Sequence, residues 1–528
     1  MKKRTTDCLV IGGGLAGWSA AWEAARAGVS VTLLHDGMGA SPWVHGLCVP
    51  LLPEDSVDSF LSDTLQSGQG LSDPRLARAL CEDAPKMFEA LQKMGLAFNR
   101  SGEGYQLLRP LGASHPRVAS IGNETGVAVL EALRKGLAGR VQELPQTRAL
   151  RLAVGPDGVN GALAYDVKAG EWIAVSAKAV VLACGGFCRL YPFSTNKRDC
   201  GGDGPAMAYY AGAVLQDMEF IQFEPSAAVW PPELRGTSVI TTLFYEGAVL
   251  RNRQGERFMT RYGQEAERVG KDVLARRIAA EIAQGLGTEH GGVYFDATGV
   301  SRETLQKEYP MYLKRYQNVG IDLSTTPVEL APAPHTALGG VQTDEEGRAG
   351  VAGLFACGES IGGLHGANRI GGSAGLETLV FGFRAGRGAA AWAKDAGFPL
   401  AEIQAPETGG TSIREALERL RAQMQKALEA AGPLREGAAL ERAGEALRQG
   451  LAEIKGLRGA DSQEAFLRLR LENDLTTALM LCAAAGARKE TRGCHARVDF
   501  PEAEKQPMRV TLRQGAQGMA VAKETVSG

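Results

Sequence analysis

The stretch DCLVIGGGLAG (residues 7–17) decides the fold of this chain. Its first five residues form an apolar run typical of a buried strand, and residues 15–27 predict a helix that stops at Gly28. A GxGxxG spacing between a strand and a helix predicts a dinucleotide site, because the glycines allow a tight turn and the helix start suits a pyrophosphate. The predicted binding residues in this turn are Gly12, Gly14, Leu15, Ala16 and Gly17.

Two further segments extend this prediction. A second strand over 29–34 ends just before Asp36, which stands where an acidic residue binds a ribose hydroxyl. Far along the chain, a short apolar run over 354–357 ends in Gly358 and Glu359, where the backbone can approach a sugar or phosphate closely. The glycine-dense loop 362–372, with His365, Asn368 and Arg369, then precedes a predicted helix, a place that favours an anion. This loop predicts a cofactor on one side and a negatively charged group on the other.

Composition excludes several classes of protein. With 528 residues, two to three domains are expected, and 44% hydrophobic with 22% charged residues are globular values. A net charge of −2 argues against nucleic-acid or membrane-surface binding, and we expect a cytoplasmic protein because no apolar span of about 18 residues is present. The nine cysteines are scattered, which predicts reduced thiols, no metal site and no iron–sulfur cluster in this chain.

These motifs resemble the flavoprotein family of succinate dehydrogenase, fumarate reductase and L-aspartate oxidase. The similarity runs almost end to end; the other segments that carry it are 55–98, 121–126, 183–186, 195–196, 202–204, 216–223 and 488–493. The resemblance implies FAD as the cofactor. It adds these residues to the predicted FAD site: Ser41, Ala183, Gly185, Thr195, Asn196, Asp203, Arg369, Ala374 and Leu376.

The resemblance also implies the fold class and its domains. The expected fold is α/β, with a glutathione-reductase-type, Rossmann-like FAD-binding domain over 1–223 and 336–400. An α+β capping domain is expected as an insertion over 224–335, and a C-terminal helical domain over 410–528. Pro42 stands where covalent relatives have a flavin-linked histidine, so non-covalent FAD is expected, although His45 lies close by.

Substrate-handling residues depart from the family pattern. Arg369 and His335 match an arginine and a histidine that hold a substrate carboxylate. A second histidine is replaced by Glu224, and the proton-donor arginine by Lys271. The arginine of the proton relay is replaced by Phe244 and its glutamate by a threonine, while Ala374 stands for a serine.

The departures leave two interpretations open for the pocket. Lys271 could act as acid or base, with Arg369 and His335 binding a carboxylate and Glu224 selecting the other end of the substrate. Alternatively, Glu224 could form an internal ion pair with Lys271 or Arg369 that plugs the site.

Three functions fit these residues to different degrees. The sequence favours an FAD-dependent oxidoreductase of a small carboxylate-bearing substrate other than fumarate or succinate. The alternative is a relay subunit with a degenerate pocket, in which flavin passes electrons to an iron–sulfur partner that could hold the chain at a membrane. A nicotinamide-dependent, monooxygenase-like enzyme is disfavoured because no second GxGxxG unit is present.

Overall fold

The helices and strands come from a computed structural model that describes residues 1–528 except 111, 240, 398–402, 517 and 527–528. The predicted end of the FAD-binding domain at residue 400, and the last two residues of the predicted C-terminal domain, lie outside the described residues. The α-helices are α1 (Leu15–Arg26), α2 (Val57–Ser67), α3 (Pro74–Lys93), α4 (Thr125–Gly136), α5 (Asp203–Tyr210), α6 (Lys271–Glu281), α7 (Arg302–Glu308), α8 (Pro310–Gln317), α9 (Ser373–Asp395), α10 (Arg414–Ala427), α11 (Gly437–Gly456) and α12 (Ser462–Ala487).

The strands, again in chain order, are β1 (Lys2–Ile11), β2 (Val31–His35), β3 (Leu47–Cys48), β4 (Arg100–Ser101), β5 (Gly104–Tyr105), β6 (Leu107–Leu108), β7 (Val118–Ala119), β8 (Gln142–Pro145), β9 (Thr147–Gly155), β10 (Gly158–Asp166), β11 (Glu171–Leu182), β12 (Leu215–Gln216), β13 (Ile221–Trp230), β14 (Val249–Arg251), β15 (Val293–Asp296), β16 (Val328–Ala337), β17 (Gly340–Val341), β18 (Leu354–Ala356), β19 (Met508–Gly515) and β20 (Gly518–Thr525).

The predicted strand 7–11 is part of β1, which lies inside a seven-stranded sheet. β1 pairs in parallel with β2 and β11, β8 extends the sheet beyond β2, and β18 pairs with β11. β10 and β9 continue the sheet as antiparallel strands. Cys8, Leu9 and Val10 are fully buried, as expected for a parallel strand covered on both faces. The α/β prediction is confirmed.

In chain order, a second sheet with its own core lies between β11 and β18 of the first sheet. Its antiparallel order is β13-β16-β15-β14, and Phe258, Phe295 and Tyr316 are fully buried in its core. The predicted boundaries of the capping domain, 223/224 and 335/336, fall inside β13 and β16. Both strands have one end in the main core and the other in the second core, so they carry the chain from one core to the other.

The C-terminal region is helical through α10, α11 and α12, as predicted, but only to Ala487. Beyond α12, β19 and β20 form a hairpin that joins β12 and β17 in a four-stranded sheet. Arg488 explains where the helix stops: its buried guanidinium donates to Glu219 at 2.5 Å and to Asp217 at 3.2 Å, beside β12 and β13. No helix in the part of the chain that the structure describes is long and apolar enough to cross a membrane.

Candidate active site

The glycine turn after β1 allows a very close approach of two backbone segments. Gly12 has a φ of 132°, and a Cβ there would overlap the carbonyl oxygen of Ala183, which follows β11. A Cβ on Gly17 would overlap the backbone of Gly12. Both positions therefore require glycine. The Leu15 N–H, in the first turn of α1, donates to Ser41 Oγ at 2.9 Å. The start of α1 thus lies at the turn, where its N–H groups suit a phosphate.

A cleft of about 990 Å³, open mouth included, runs along this turn. It is lined by ten of the predicted cofactor residues, namely Gly12, Gly14, Ala16, Asp36, Ser41, Ala183, Gly185, Asp203, Glu359 and Ala374. Leu15 and Leu376 are fully buried and, with Gly17 and Gly358, lie outside this lining. A helix start for the pyrophosphate, an acidic residue for the ribose and a glycine-rich wall without side chains all fit FAD.

Arg148, at the start of β9, also lines the cleft and was not predicted. Its Nε donates to Asp203 Oδ2 at 2.6 Å, and its Nη1 to Asp36 Oδ2 at 3.4 Å. The predicted ribose ligand Asp36 is therefore paired with an arginine from another strand. Arg148 lies outside every segment from which the cofactor site was predicted, and the local sequence does not reveal its partners.

Glu359 lies where this cleft meets a second group of predicted residues. It accepts the N–H of Ala337, the last residue of β16, at 2.9 Å. Burial raises the pKa of Glu359 to about 7. The strand that carries His335 is thus joined directly to the wall of the cofactor cleft.

The four predicted catalytic residues come from four elements and lie together next to the cleft. β13 carries Glu224, which stands opposite Ala333 of β16, and His335 follows two residues later. Lys271 is the first residue of α6, and Arg369 lies in the loop before α9.

Glu224 and Lys271 form an ion pair of 2.6 Å between Oε2 and Nζ. The Glu224 side chain is 5% exposed and that of Lys271 33%. The second carboxylate oxygen of Glu224 contacts Ser226 Oγ at 2.7 Å. Burial pushes the pKa of Glu224 up, but the charge of Lys271 and the hydrogen bonds from Lys271 and Ser226 outweigh it and keep this pKa below its ordinary value. The structure therefore contains the ion pair between Glu224 and Lys271 that one of the two interpretations of the pocket requires.

His335 is fixed from two sides by residues that were predicted to bind the cofactor. Thr195 Oγ1 lies 2.8 Å from Nδ1 of His335, and Asn196 Nδ2 donates to its carbonyl at 2.5 Å. Burial lowers the pKa of His335 to about 4, and the charges of Lys271 and Arg369 add to this effect, whereas the charge of Glu224 opposes it. The imidazole is therefore neutral at pH 7, with one of its two ring nitrogens protonated.

Arg369 makes hydrogen bonds only to neutral acceptors among the described residues. Its Nη2 donates to Gln222 Oε1 at 2.8 Å and its Nη1 to the Ile370 carbonyl at 3.2 Å. Its buried Nε has no hydrogen-bond partner among the described residues. A buried donor without an acceptor is costly, so this nitrogen marks a place for an oxygen ligand. Gln222 was not predicted individually, although it lies in a segment that carries the resemblance.

Two other expectations concern residues that the structure places elsewhere. His365, predicted in the anion-binding loop, has its Nε2 3.0 Å from the buried carboxylate of Glu377. Phe244 is 4% exposed and packs edge-on against Phe295, 5.5 Å between ring centres, in the core of the second sheet. An apolar ring in that core cannot carry a proton.

Comparisons with known proteins cover nearly the whole chain. Residues 7–374 match the family model described as FAD binding domain, and residues 419–527 the model described as fumarate reductase flavoprotein C-term. A subunit of the fumarate reductase (CoM/CoB) of Methanothermobacter marburgensis is 34% identical, with 94% of each chain covered. The L-aspartate oxidase of Caulobacter vibrioides is 33% identical, with 98% of each covered. A solved structure of the quinol fumarate reductase FrdA of Escherichia coli has a TM-score of 0.89 at 25% identity, covering 100% of this chain and 98% of that one.

We expect Gly12→Ala to abolish FAD binding. The added Cβ would force β1 away from the Ala183 carbonyl and distort the floor of the cleft. Gly28→Ala is the matched control, because Gly28 also has a positive φ but nothing lies within 4 Å of its Cβ position. The control should lose about 1–2 kcal/mol of stability and keep its flavin. The flavin-to-protein absorbance ratio of the purified variants checks this, and full flavin content in Gly12→Ala would contradict it.

Proposed function

This chain belongs to the FAD-binding flavoprotein family that the sequence resemblance indicates, it is an FAD-dependent oxidoreductase, and we propose that it acts on a small carboxylate-bearing substrate other than fumarate or succinate. When bound, FAD supplies the hydride acceptor or donor. One observation carries the substrate class: the buried Nε of Arg369 has no partner among the described residues, beside a neutral His335.

In this proposal each residue has one task. Arg369 binds the carboxylate next to the reacting carbon, since a guanidinium offers two parallel donors to a carboxylate. His335 orients the same group through Nε2, because Thr195 and Asn196 fix its ring and backbone. Lys271 moves the proton at Nζ, and Glu224 positions that nitrogen through the 2.6 Å ion pair.

A second function is supported by that same ion pair. Because Lys271 closes onto Glu224, the pocket is also compatible with a flavin subunit that relays electrons to an iron–sulfur partner. The relative from Methanothermobacter marburgensis is itself named as one subunit of a larger reductase, which supports this alternative. Anaerobic screening of carboxylates and amino acids separates the two functions, since only the enzyme has its flavin bleached by a small organic acid.

FAD is expected to be bound without a covalent link. Pro42 occupies the position of the linked histidine in the family and lies in a short 3₁₀ turn, Ser41–Trp43, at the cleft. Acid precipitation should therefore release yellow flavin into the supernatant. Flavin fluorescence that stays with the denatured polypeptide would contradict this, and His45→Ala would then show whether His45 is the attachment point.

Fumarate and succinate are expected to be poor substrates. Lys271 replaces the arginine donor, and Phe244 lies in an apolar core where the relay arginine is expected. Loss of a proton-transfer group commonly costs about 10²–10⁴-fold in rate. Fumarate reduction with an artificial donor should fall far below about 10 s⁻¹, an ordinary enzyme rate. Dithionite reduction of the same sample controls for competent flavin, and turnover near that ordinary rate would overturn the expectation.

Lys271→Met tests the acid/base assignment. We expect substrate-driven flavin reduction to fall about 10²–10⁴-fold while flavin content is retained. The variant also leaves the Glu224 carboxylate unpaired, at a cost below the about 3–5 kcal/mol of a fully buried pair, because Lys271 is one-third exposed. Adding Glu224→Gln should restore the melting temperature without restoring the rate. An unchanged rate of flavin reduction in Lys271→Met would show that Lys271 is only a structural partner of Glu224.

A further inference from the structure

A tight turn between α6 and β15 carries two adjacent side chains with metal-binding donor atoms, Glu289 and His290. The Thr288 N–H donates to the Gly292 carbonyl at 2.8 Å, and the Gly292 N–H donates to Thr288 Oγ1 at 3.0 Å. The turn is therefore closed by its own hydrogen bonds, and it presents both side chains from a fixed backbone.

The imidazole of His290 is held in one orientation by contacts with two strands of the second sheet. Glu329, near the start of β16, lies opposite Trp230 at the end of β13. His290 Nδ1 is 2.8 Å from Glu329 Oε1, and the Trp230 ring stacks on the imidazole, with 4.1 Å between ring centres and 8° between planes. The Glu329 side chain is only 9% exposed, and its other carboxylate oxygen accepts from Thr288 Oγ1.

This contact fixes which ring nitrogen of His290 is available. Because a carboxylate only accepts hydrogen bonds, the proton between His290 and Glu329 belongs to Nδ1, and in the neutral ring Nε2 then carries the lone pair. A buried carboxylate that accepts from one ring nitrogen is the usual way in which proteins orient a histidine that binds a metal through the other nitrogen.

Glu289 places a carboxylate on the Nε2 side of the same ring. Its Oε1 lies 3.9 Å from His290 Nε2, and its side chain is 82% exposed. Two ligands that bind a tetrahedral ion at about 2.1 Å lie about 3.4 Å apart, so this mobile side chain needs to move only about 0.5 Å. In the described part of the chain, the ion pairs of Glu289 and Glu329 are both to His290, so the cluster has a net negative charge in either protonation state of the ring.

We propose that Glu289 and His290 bind a Zn²⁺ ion, with Glu329 as the carboxylate that orients the imidazole. Imidazole nitrogen and carboxylate oxygen suit Zn²⁺, and water completes the tetrahedron. The proposal is independent of the proposed function, because β13 and β16 carry Glu224 and His335 near their opposite ends. The scattered cysteines predicted no metal site, but that expectation rested on thiol ligands. Here the bound ion holds the turn 288–292 to β16 and stabilises the second sheet.

The test is titration calorimetry of the FAD-loaded protein with Zn²⁺. The wild-type protein should bind one saturable equivalent that His290→Gln loses, because the imidazole is a direct ligand. Glu329→Gln should weaken the same equivalent by about 10–100-fold, the usual effect of losing the group that orients a ligand. Zn²⁺ should also raise the melting temperature of the wild-type protein and not that of His290→Gln, since an ion that binds only the folded state stabilises it.

A pair of surface variants separates metal ligation from a general effect of charge. Glu289→Gln removes a direct ligand from a side chain too exposed to affect folding, and it should weaken Zn²⁺ binding at least about ten-fold. Glu265→Gln is the matched control, because it removes an exposed carboxylate from another loop of the same region and should leave Zn²⁺ affinity unchanged.

The outcomes decide the proposal even if one variant is unstable. If Glu329→Gln melts early without metal, Glu289→Gln decides by itself. Absence of Zn²⁺ binding to the wild-type protein would overturn the site. Equal binding by wild type, His290→Gln and Glu289→Gln would also overturn it, since the ion would then be bound elsewhere, for example at thiols. An equal loss of affinity in Glu289→Gln and Glu265→Gln would show that surface charge alone attracts the ion, with the same consequence.

Discussion

The close approach of Gly12 to the carbonyl of Ala183 is the constraint on which the rest of the site depends. It brings the ends of β1 and β11 together without any side chain between them. Gly17 repeats the constraint one turn into α1, so the helix starts directly above the strand ends. The cleft exists because this floor is bare backbone, and its N–H groups point toward the space where a pyrophosphate fits.

Two strands, rather than a flexible linker, determine the position of the second sheet. β13 and β16 pair with each other, and each strand contributes to both hydrophobic cores. Gln222, near the start of β13, completes the attachment. Its Nε2 donates to Asn368 Oδ1 at 3.0 Å, and its Oε1 accepts from Arg369 at 2.8 Å. The loop with Arg369 and the strand with Glu224 are therefore held in one arrangement.

The two replacements of family residues by Glu224 and Lys271 together form one ion pair. Glu224 alone would repel a substrate carboxylate by about 1–4 kcal/mol at about 4 Å. Paired with Lys271, it contributes little net charge, while Arg369 makes hydrogen bonds only to neutral acceptors among the described residues. The neutral His335 adds a polar ring without adding charge. The ion pair with Lys271 therefore offsets the charge of the acid that stands where a histidine is expected.

By itself the sequence determined the parts of this protein that depend on local pattern. The glycine spacing of residues 12–17, the apolar strand runs and the Gly358–Glu359 turn predicted the cleft, because neighbours in the chain control turns and strands. The tertiary structure alone decided that Glu224 pairs with Lys271 rather than with Arg369, and that Arg148 contacts Asp36. It also decided that the chain after Ala487 forms a hairpin, since Arg488 meets buried acids from residues 217–219. Each of these depends on side chains that are distant in sequence and meet only through strand register and packing, which local patterns do not encode.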